Sequence, residues 1–432
     1  MTDIQKKKEK TTKVKNEPKL FFEFNTAIEE KEDSGIFDYK KNENEVIKRK
    51  DEATESNQYF CRNGLNKWKV NKYPEQKKID KDCDLVFFRA RKSKNGYYEL
   101  INPIAKIDSL DSDNLKELNK KMWLLMKSED NTIEYKIENE PYYLAENDII
   151  KFGQQKYEII KLNINQDKKK PIEQSEDSNN LNVISQINED NKKFGLVLNL
   201  PVIDLATNKD KNKEPSKEEN EKNVNECKVC FGSQRKIEYN EKGKYMNPLL
   251  KMCKCNTCIH LSCLRGILKC NKIQDKEKGI TKYEIDSFNC EVCNEPYPLY
   301  FYVNGDECPK CLIENLEPSK ENDYIILESL THVIEKNKKI VFVITLKSKE
   351  ETGENDKSFS FGKNNYNDLV DKHLSISTNH AILKFHNREG KVSVTNKGKF
   401  GTSVLIKNNI KLKPGQKIDF QVETTYILAK CD

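Results

Sequence analysis

The sequence predicts a multidomain, mainly β chain, in which two β-sandwiches flank a small cross-braced, cysteine-rich finger and long disordered linkers join them. Three observations carry this. Short apolar runs separated by turn residues recur from about residue 83 to 163 and again from 323 to 432, the spacing of an antiparallel sandwich or barrel. Four Cys or His pairs fall between Cys227 and Cys293. Charged residues make up 34 % of the chain against 36 % hydrophobic, too little apolar matter for one continuous globule. The resulting layout is a mostly disordered 1–80, a sandwich over 81–163, a linker over 164–225, the finger over 226–304 and a sandwich over 323–432.

Taken in order, the first 80 residues are mostly low complexity. Lys6, Lys7, Lys8 and Lys10 form a basic run, read as a solvated tail with a nuclear signal as the other reading. Leu20-Phe-Phe-Glu-Phe24 is an apolar island, either a docking motif or a strand added to the next domain. In the first sandwich, strands are predicted at Leu85 to Ala90, Tyr97 to Ile101, Met122 to Met126, Ile133 to Ile137, Ile149 to Phe152 and Tyr157 to Ile160. A helix is predicted only around Ser112 to Lys121. The linker is polar apart from Phe194 to Leu205, a candidate docking segment.

The finger reads Cys227-Lys-Val-Cys230, Cys253-Lys-Cys255, His260-Leu-Ser-Cys263 and Cys290-Glu-Val-Cys293. Two ligands separated by two residues can turn back onto one ion, and Zn²⁺ favours four tetrahedral thiolate or imidazole ligands. In an interleaved arrangement Cys227, Cys230, His260 and Cys263 hold one zinc, and Cys253, Cys255, Cys290 and Cys293 a second. Such closed sites are structural, and metal binding supplies folding free energy that so polar a segment lacks. Cys258 competes with Cys255 for the fourth ligand place. With no signal peptide evident, the thiols are expected in a reducing compartment rather than as disulfides. Cys308-Pro-Lys-Cys311 is a further knuckle, read as a turn with two free thiols or half of a third site.

The surroundings of these ligands, Asn247-Pro-Leu249 before Cys253-Lys-Cys255, then His260-Leu-Ser-Cys263-Leu264 and Cys290-Glu-Val-Cys293, resemble a RING-CH finger. The resemblance selects Cys255 over Cys258. It implies a ubiquitin ligase that recruits a ubiquitin-conjugating enzyme and positions its thioester, doing no covalent chemistry itself. Val229, Ile267 and Pro296 would line the conjugating-enzyme contact, Ile267 standing where the family usually has Trp. The short gap from Cys255 to His260 and Phe288 ahead of Cys290 resemble instead a PHD finger, which implies a chromatin reader.

In the last segment Tyr324 to Leu327, Val341 to Leu346, Phe359 to Phe361, Ala381 to Phe385, Val392 to Thr395 and Tyr426 to Ala429 are predicted strands. Gly362-Lys363, Ser377-Thr-Asn-His380 and Phe400-Gly401-Thr402 resemble the loop motifs of the forkhead-associated (FHA) domain. That resemblance implies phosphothreonine-peptide binding through Lys363, Ser377 and Thr378, with His380 as a scaffold residue and a phosphorylated protein substrate as partner. Lys363 stands where Arg is usual and cannot make the bidentate fork, and Phe400 stands where Asn is usual. His373 and His386 carry no motif.

Leu144-Ala-Glu-Asn-Asp-Ile-Ile150-Lys-Phe152 parallels Leu412-Lys-Pro-Gly-Gln-Lys-Ile418-Asp-Phe420, each followed by a strand containing Tyr, at Tyr157 and Tyr426. The repeat makes the first sandwich a degenerate FHA-like one without a phosphate site. A net charge of +6 on 76 basic and 70 acidic residues argues against nucleic acid. No apolar run is long enough to span a bilayer. No catalytic residue is assigned, since neither a phosphate-cradling Gly loop, a serine nucleophile motif nor a paired-carboxylate spacing stands out. The expectation is a cytoplasmic ubiquitin ligase with two zinc ions, the nucleus being the other location read; the alternative is a non-catalytic zinc-stabilised adaptor.

Overall fold

The computed structural model describes residues 18–27, 46–54, 57–63, 70–73, 83–102, 117–128, 141–164, 183–184, 187, 202–203, 226–232, 247–255, 257–303, 309–331, 337–346, 356–387 and 389–432. Within them the chain is mainly β, and no helix is long and apolar enough to cross a membrane. The basic run at Lys6 to Lys10, the predicted strand Ile133 to Ile137, Cys308 and most of 164–225 lie outside the described residues.

The apolar island near the start is a strand, β1 (Leu20–Ala27). Leu20, Phe22 and Phe24 are buried while Phe21 and Glu23 between them are half-buried, the alternation of a pleated strand. Next come β2 (Val46–Glu52), β3 (Asn57–Asn63) and β4 (Val70–Tyr73), within the 80 residues read as low complexity. Their sequences are polar; β2 pairs with β1, and β3 lies between β4 and β5 (Cys83–Lys92). Backbone pairing, which composition does not report, places them. After β6 (Tyr98–Ile101), residues 117–119 are helical, inside the helix expected around Ser112 to Lys121, and the first part of that span lies outside the described residues. Then follow β7 (Trp123–Leu125), β8 (Ile149–Phe152) and β9 (Gln155–Asn163).

The finger region contains β10 (Val202–Ile203), β11 (Leu249–Leu250), β12 (Ile259–His260), helix α1 (Leu261–Ile267), β13 (Lys269–Asp275), β14 (Ile280–Asp286), β15 (Tyr300–Val303) and β16 (Lys310–Cys311). The last segment forms β17 (Asp323–Ser329), β18 (Lys338–Leu346), β19 (Lys357–Gly362), β20 (Leu369–Val370), β21 (Ala381–His386), β22 (Lys391–Asn396), β23 (Thr402–Leu405), β24 (Ile410–Leu412), β25 (Lys417–Val422) and β26 (Thr425–Cys431).

Two sandwiches form, but each takes its closing hairpin from the opposite end of the chain. One long sheet runs β13-β14-β18-β17-β9-β8-β23-β7-β25-β26-β1-β2. At its middle β23 and β7 pair antiparallel, Val404 opposite Leu124, and the order reads alike outwards from that pair. Hairpin β8–β9 lies between β23 and β17, opposite β20-β19-β21-β22. Hairpin β25–β26 lies between β7 and β1, opposite β24-β6-β5-β3-β4. The repeated segments seen in the sequence are these exchanged pieces. Equivalent residues plug equivalent cores: Phe152 stacks on Phe361 at 4.2 Å, and Phe420 meets Phe88 edge-on at 5.7 Å within the Phe22, Phe24, Phe60, Phe88 cluster. The turn ahead of each hairpin is the same: Asp148 Oδ2 accepts the Ala145 N–H and Gln416 Oε1 accepts the Lys413 N–H, both at 2.8 Å. At the crossing, Lys407 Nζ lies 3.1 Å from Asp148 Oδ1 with both side chains buried.

Side-chain size distinguishes the two hairpins. Ile150 pairs with Tyr157, and the equivalent Ile418 pairs with Ala429, so Tyr157 and Ala429 hold matching places. Ala429 is fully buried opposite Phe22. A phenol there would meet the aromatic cluster, so each hairpin fits the core it enters and not its neighbour's.

The finger is mounted on the long sheet. β13–β14, inserted between the ligands Cys263 and Cys290, extends the sheet edge by pairing β14 with β18, Ile280 opposite Ile344. Leu261, Leu264, Leu299, Phe301 and Leu312 of the finger share one core with Tyr324, Ile326, Val341 and Val343 on the outer face of that sheet. Of the expected linker docking patch, Val202–Ile203 pairs parallel with β15, and Ile203 is buried in the finger core.

Charge is also buried on the sheet. Glu158 of β9 sits opposite Glu328 of β17, whose carboxylate is bonded by Lys339. Burial first, then the Glu328 charge, raises the Glu158 carboxyl to about 8, against the opposing effect of Lys339 and Lys407. Because the folded value lies above the ordinary 4.5, the folded chain holds a proton the unfolded one releases. Stability from this group is complete below about pH 4.5 and is lost as pH rises to about 8. Glu158→Gln should therefore raise the thermal midpoint, with a larger gain near pH 8 than near pH 5; an equal gain at both would contradict the burial of a proton there. Ala429→Tyr should lower stability by about 1–3 kcal/mol through overpacking, read by thermal unfolding; an unchanged midpoint would contradict the placement of β26 in the aromatic core.

Candidate functional site

Two groups of four side chains are brought together as the interleaved spacing required: Cys227, Cys230, His260 and Cys263, and Cys253, Cys255, Cys290 and Cys293. Within each group the donor atoms lie within 4.8 Å of one another. The knuckles are twin turns. Phe231 N–H donates to Cys227 O at 2.8 Å and Asn294 N–H to Cys290 O at 2.8 Å, with Phe231 and Asn294 both at φ 56°. The β11–β12 hairpin presents His260, and α1 carries Cys263 one turn further on. Cys230 Sγ stands 3.3 Å from His260 Nδ1, and Cys253 Sγ 3.0 Å from Cys255 Sγ.

The electrostatics suit a cation. Burial raises the Cys227 thiol, but the N–H groups of Cys230, His260 and Val229 outweigh it and hold it at about 6. Bonds from Cys253 and Thr257 bring Cys255 to about 6. Each group thus carries a readily formed thiolate, and four sulfur or imidazole donors per group match a tetrahedral, closed structural metal site. Cys258 belongs to neither group; it is buried in the finger core, where its backbone bridges to Cys227. Cys311 is half-buried beside Tyr300 in β15–β16 and joins no group among the described residues.

On the finger surface, Val229 is 38 % exposed, while Ile267 and Pro296 are half-buried, Ile267 against the finger core. Two larger exposures were not singled out from the sequence: Phe231 at 75 % and Val292 at 68 %. Their signal was present: Val292 sits inside the Cys290–Cys293 pair as Val229 does in the first, and Phe231 directly follows Cys230.

The second candidate site lies on the loops between β19, β20 and β21 and before β23. Lys363 N–H donates to Ser377 O at 2.9 Å and Asn364 N–H to Thr378 O at 3.3 Å, so Lys363, Ser377 and Thr378 are brought together. Thr378 is exposed; Lys363 and Ser377 are half-exposed. Lys399 N–H reaches Ser377 Oγ at 3.3 Å, and Lys399 Nζ lies 4.4 Å over the Phe400 ring. Asn367, missed in the sequence, ties both loops by donating to Thr378 O at 2.6 Å and Asn364 O at 2.9 Å. Gly362 is required, because a Cβ there would lie 2.4 Å from Thr378 O. His380 is the buried scaffold: Nδ1 accepts the Ser377 N–H at 3.0 Å and Nε2 donates to Gly401 O at 3.0 Å. Burial lowers it to about 4, against the Gly401 bond and the Asp371 charge, so the ring stays neutral and both bonds persist at neutral pH. His373 and His386 bond to Ser375 and Ser393 at 2.8 Å each, as local polar contacts.

A family model described as FHA domain matches residues 359–422. The match covers the loops that carry Lys363 and Ser377–Thr378 and runs on into the exchanged β24 and β25; it does not extend to the finger. No curated protein and no solved structure matches the chain.

The donor geometry generates a stoichiometric expectation. Reduced full-length chain equilibrated with Zn²⁺ should retain about two equivalents per chain, and Cys290→Ala about one. Retention of two by the variant would break the assigned grouping.

Proposed function

We propose that the chain is a RING-CH type ubiquitin ligase whose FHA sandwich selects a phosphorylated protein substrate. The FHA match suggests phosphopeptide binding, and both four-ligand groups are compatible with zinc. One observation carries the ligase reading beyond that: Val229, Phe231 and Val292 are exposed on the two metal knuckles. This is the part of the finger where the RING-CH resemblance puts the conjugating enzyme. Phe231 adds weight, because a bulky residue at φ 56° is strained relative to the Asn294 of the matching turn. An exposed aromatic at such a place fits a contact surface better than a folding role.

In this reading the zinc ions are structural and supply the shape of the finger; no step of the chemistry passes through them. Val229, Phe231 and Val292 bind the charged conjugating enzyme and hold its thioester for attack by a substrate lysine. Lys363 and the Ser377–Thr378 loop hold the substrate phosphate, with Lys acting as a point charge rather than a fork. Mounting both on one sheet raises the effective concentration of substrate at the conjugating enzyme. Reduced thiols suit a reducing compartment, the cytoplasm first and the nucleus as the other reading.

A second reading, a non-catalytic adaptor, is favoured by Ile267, which packs inward against the finger core where the family usually presents Trp. Autoubiquitination by the zinc-loaded full chain across a panel of conjugating enzymes separates the two. The ligase reading expects chain formation with at least one, reduced about tenfold or more by Phe231→Ala, an effect in the range of an interface anchor. Formation with none would leave the adaptor. Capture of histone-tail peptides in a parallel pull-down would favour a PHD-like reader.

A further inference from the structure

We infer that the phosphate-facing loops of the C-terminal repeat are held in shape by the hairpin β8–β9 donated from the N-terminal repeat, with Tyr157 as the positioning residue. The inference rests on the reading of those loops as the phosphopeptide site.

The loop from Asp371 to His380 leaves β20 and returns into β21. Its first residue, Asp371, is buried; its N–H bonds back to Gly362 O at 3.2 Å. One carboxylate oxygen accepts the His373 N–H at 2.9 Å and so turns the chain, while the other accepts the Tyr157 hydroxyl at 2.7 Å. Tyr157 is itself fully buried, and burial followed by the Asp371 charge keeps the phenol protonated, as a donor. Further along, Ser375 Oγ accepts the Gln154 N–H at 3.0 Å. Gly153, at φ +60°, passes so near that a Cβ would lie 2.3 Å from Ser375 O. Its N–H reaches Gly401 O at 3.3 Å, the carbonyl that also takes the His380 Nε2 proton. Phe152 meets the His380 ring edge-on at 5.9 Å.

The start, middle and end of the loop therefore each rest on residues 152–157, none of which falls within the matched 359–422. The C-terminal hairpin cannot substitute. Ala429 occupies the place matching Tyr157, and a methyl group cannot reach the Asp371 carboxylate. The hydroxyl of Tyr157 is thus a contact that only the exchanged arrangement supplies.

The test uses the full zinc-loaded chain. Tyr157→Phe keeps the ring and deletes one hydroxyl; Ser375→Ala removes a separate anchor, together with the local His373 contact, without touching the core aromatics. Amide hydrogen exchange over 371–380 should quicken about tenfold in each, the scale of one hydrogen bond to a buried charged group, while exchange in β25–β26 stays at wild-type rates. Affinity for the tightest phosphothreonine peptide from a degenerate library should fall by a similar factor. Combining Tyr157→Phe with Asp371→Asn should cost little more than either alone, as for partners in one contact. Wild-type exchange rates over 371–380 in both single variants would overturn the inference. If wild type binds no library peptide, the phosphopeptide reading fails, and the exchange rates still decide whether the donated hairpin shapes the loop.

Discussion

The pairing of β7 with β23 fixes the rest of the molecule. These two short strands lie at the centre of the long sheet, and past them the chain continues into the sandwich of the other repeat. Each repeat is left with a slot beside its first strand, and the hairpin of the other fills it. The driving force is ordinary apolar burial, since Phe152 and Phe420 are both fully buried in the core they enter. Selectivity comes from fit. Tyr157 needs the Asp371 carboxylate, and Ala429 needs a neighbour as large as Phe22. The buried Lys407–Asp148 pair lies where the two connections meet, a place where loss of one partner would strand a charge.

The finger draws on two sources of order. One is its eight donors, held in two groups at the edge of the finger's apolar core, with Cys227 and Cys290 buried in it. The other is the outer face of the sheet, on which Leu264, Phe301 and Leu312 are buried. The β13–β14 hairpin joins the two, because it begins just after Cys263 and ends just before Cys290. It also touches the FHA loops: Lys282 Nζ donates to Val370 O at 2.9 Å, and Lys278 Nζ lies 2.7 Å from Asp368. The FHA-matched sandwich and the cysteine-rich finger are thereby parts of one scaffold, and their relative orientation is a property of the sheet.

What the sequence made legible follows from which interactions are local. Strands with two-residue alternation, such as Ala381 to Phe385, and knuckles with fixed ligand spacing were readable because both patterns are written in neighbouring residues. His380 and Gly362 were readable through loop motifs of a known kind. The strands β2, β3 and β4, mostly polar apart from Tyr59, Phe60 and Cys61, were not, since their place comes from pairing: β2 with β1, β3 with β5 and β4 with β3. The hairpin β13–β14 was missed for the same reason; β13 is exposed throughout. The exchange was half visible. The repeat from Leu144 to Phe152 and Leu412 to Phe420 identified the pieces, but Tyr157 and Tyr426 were aligned by type, whereas pairing matches Tyr157 with Ala429. Partner choice between equivalent slots depends on contacts across the whole chain, and no window of sequence contains them.

The interlocking of the repeats has a consequence for how the molecule could be dismantled. A single backbone break between Ile203 and Glu226 would yield two polypeptides, yet neither would own a finished sandwich. Each fragment would still be threaded through the other's core, so separating them would mean melting both. The covalent link is therefore dispensable for keeping the ends together once folding is complete, and the protein behaves as a self-clasped pair rather than as beads on a string.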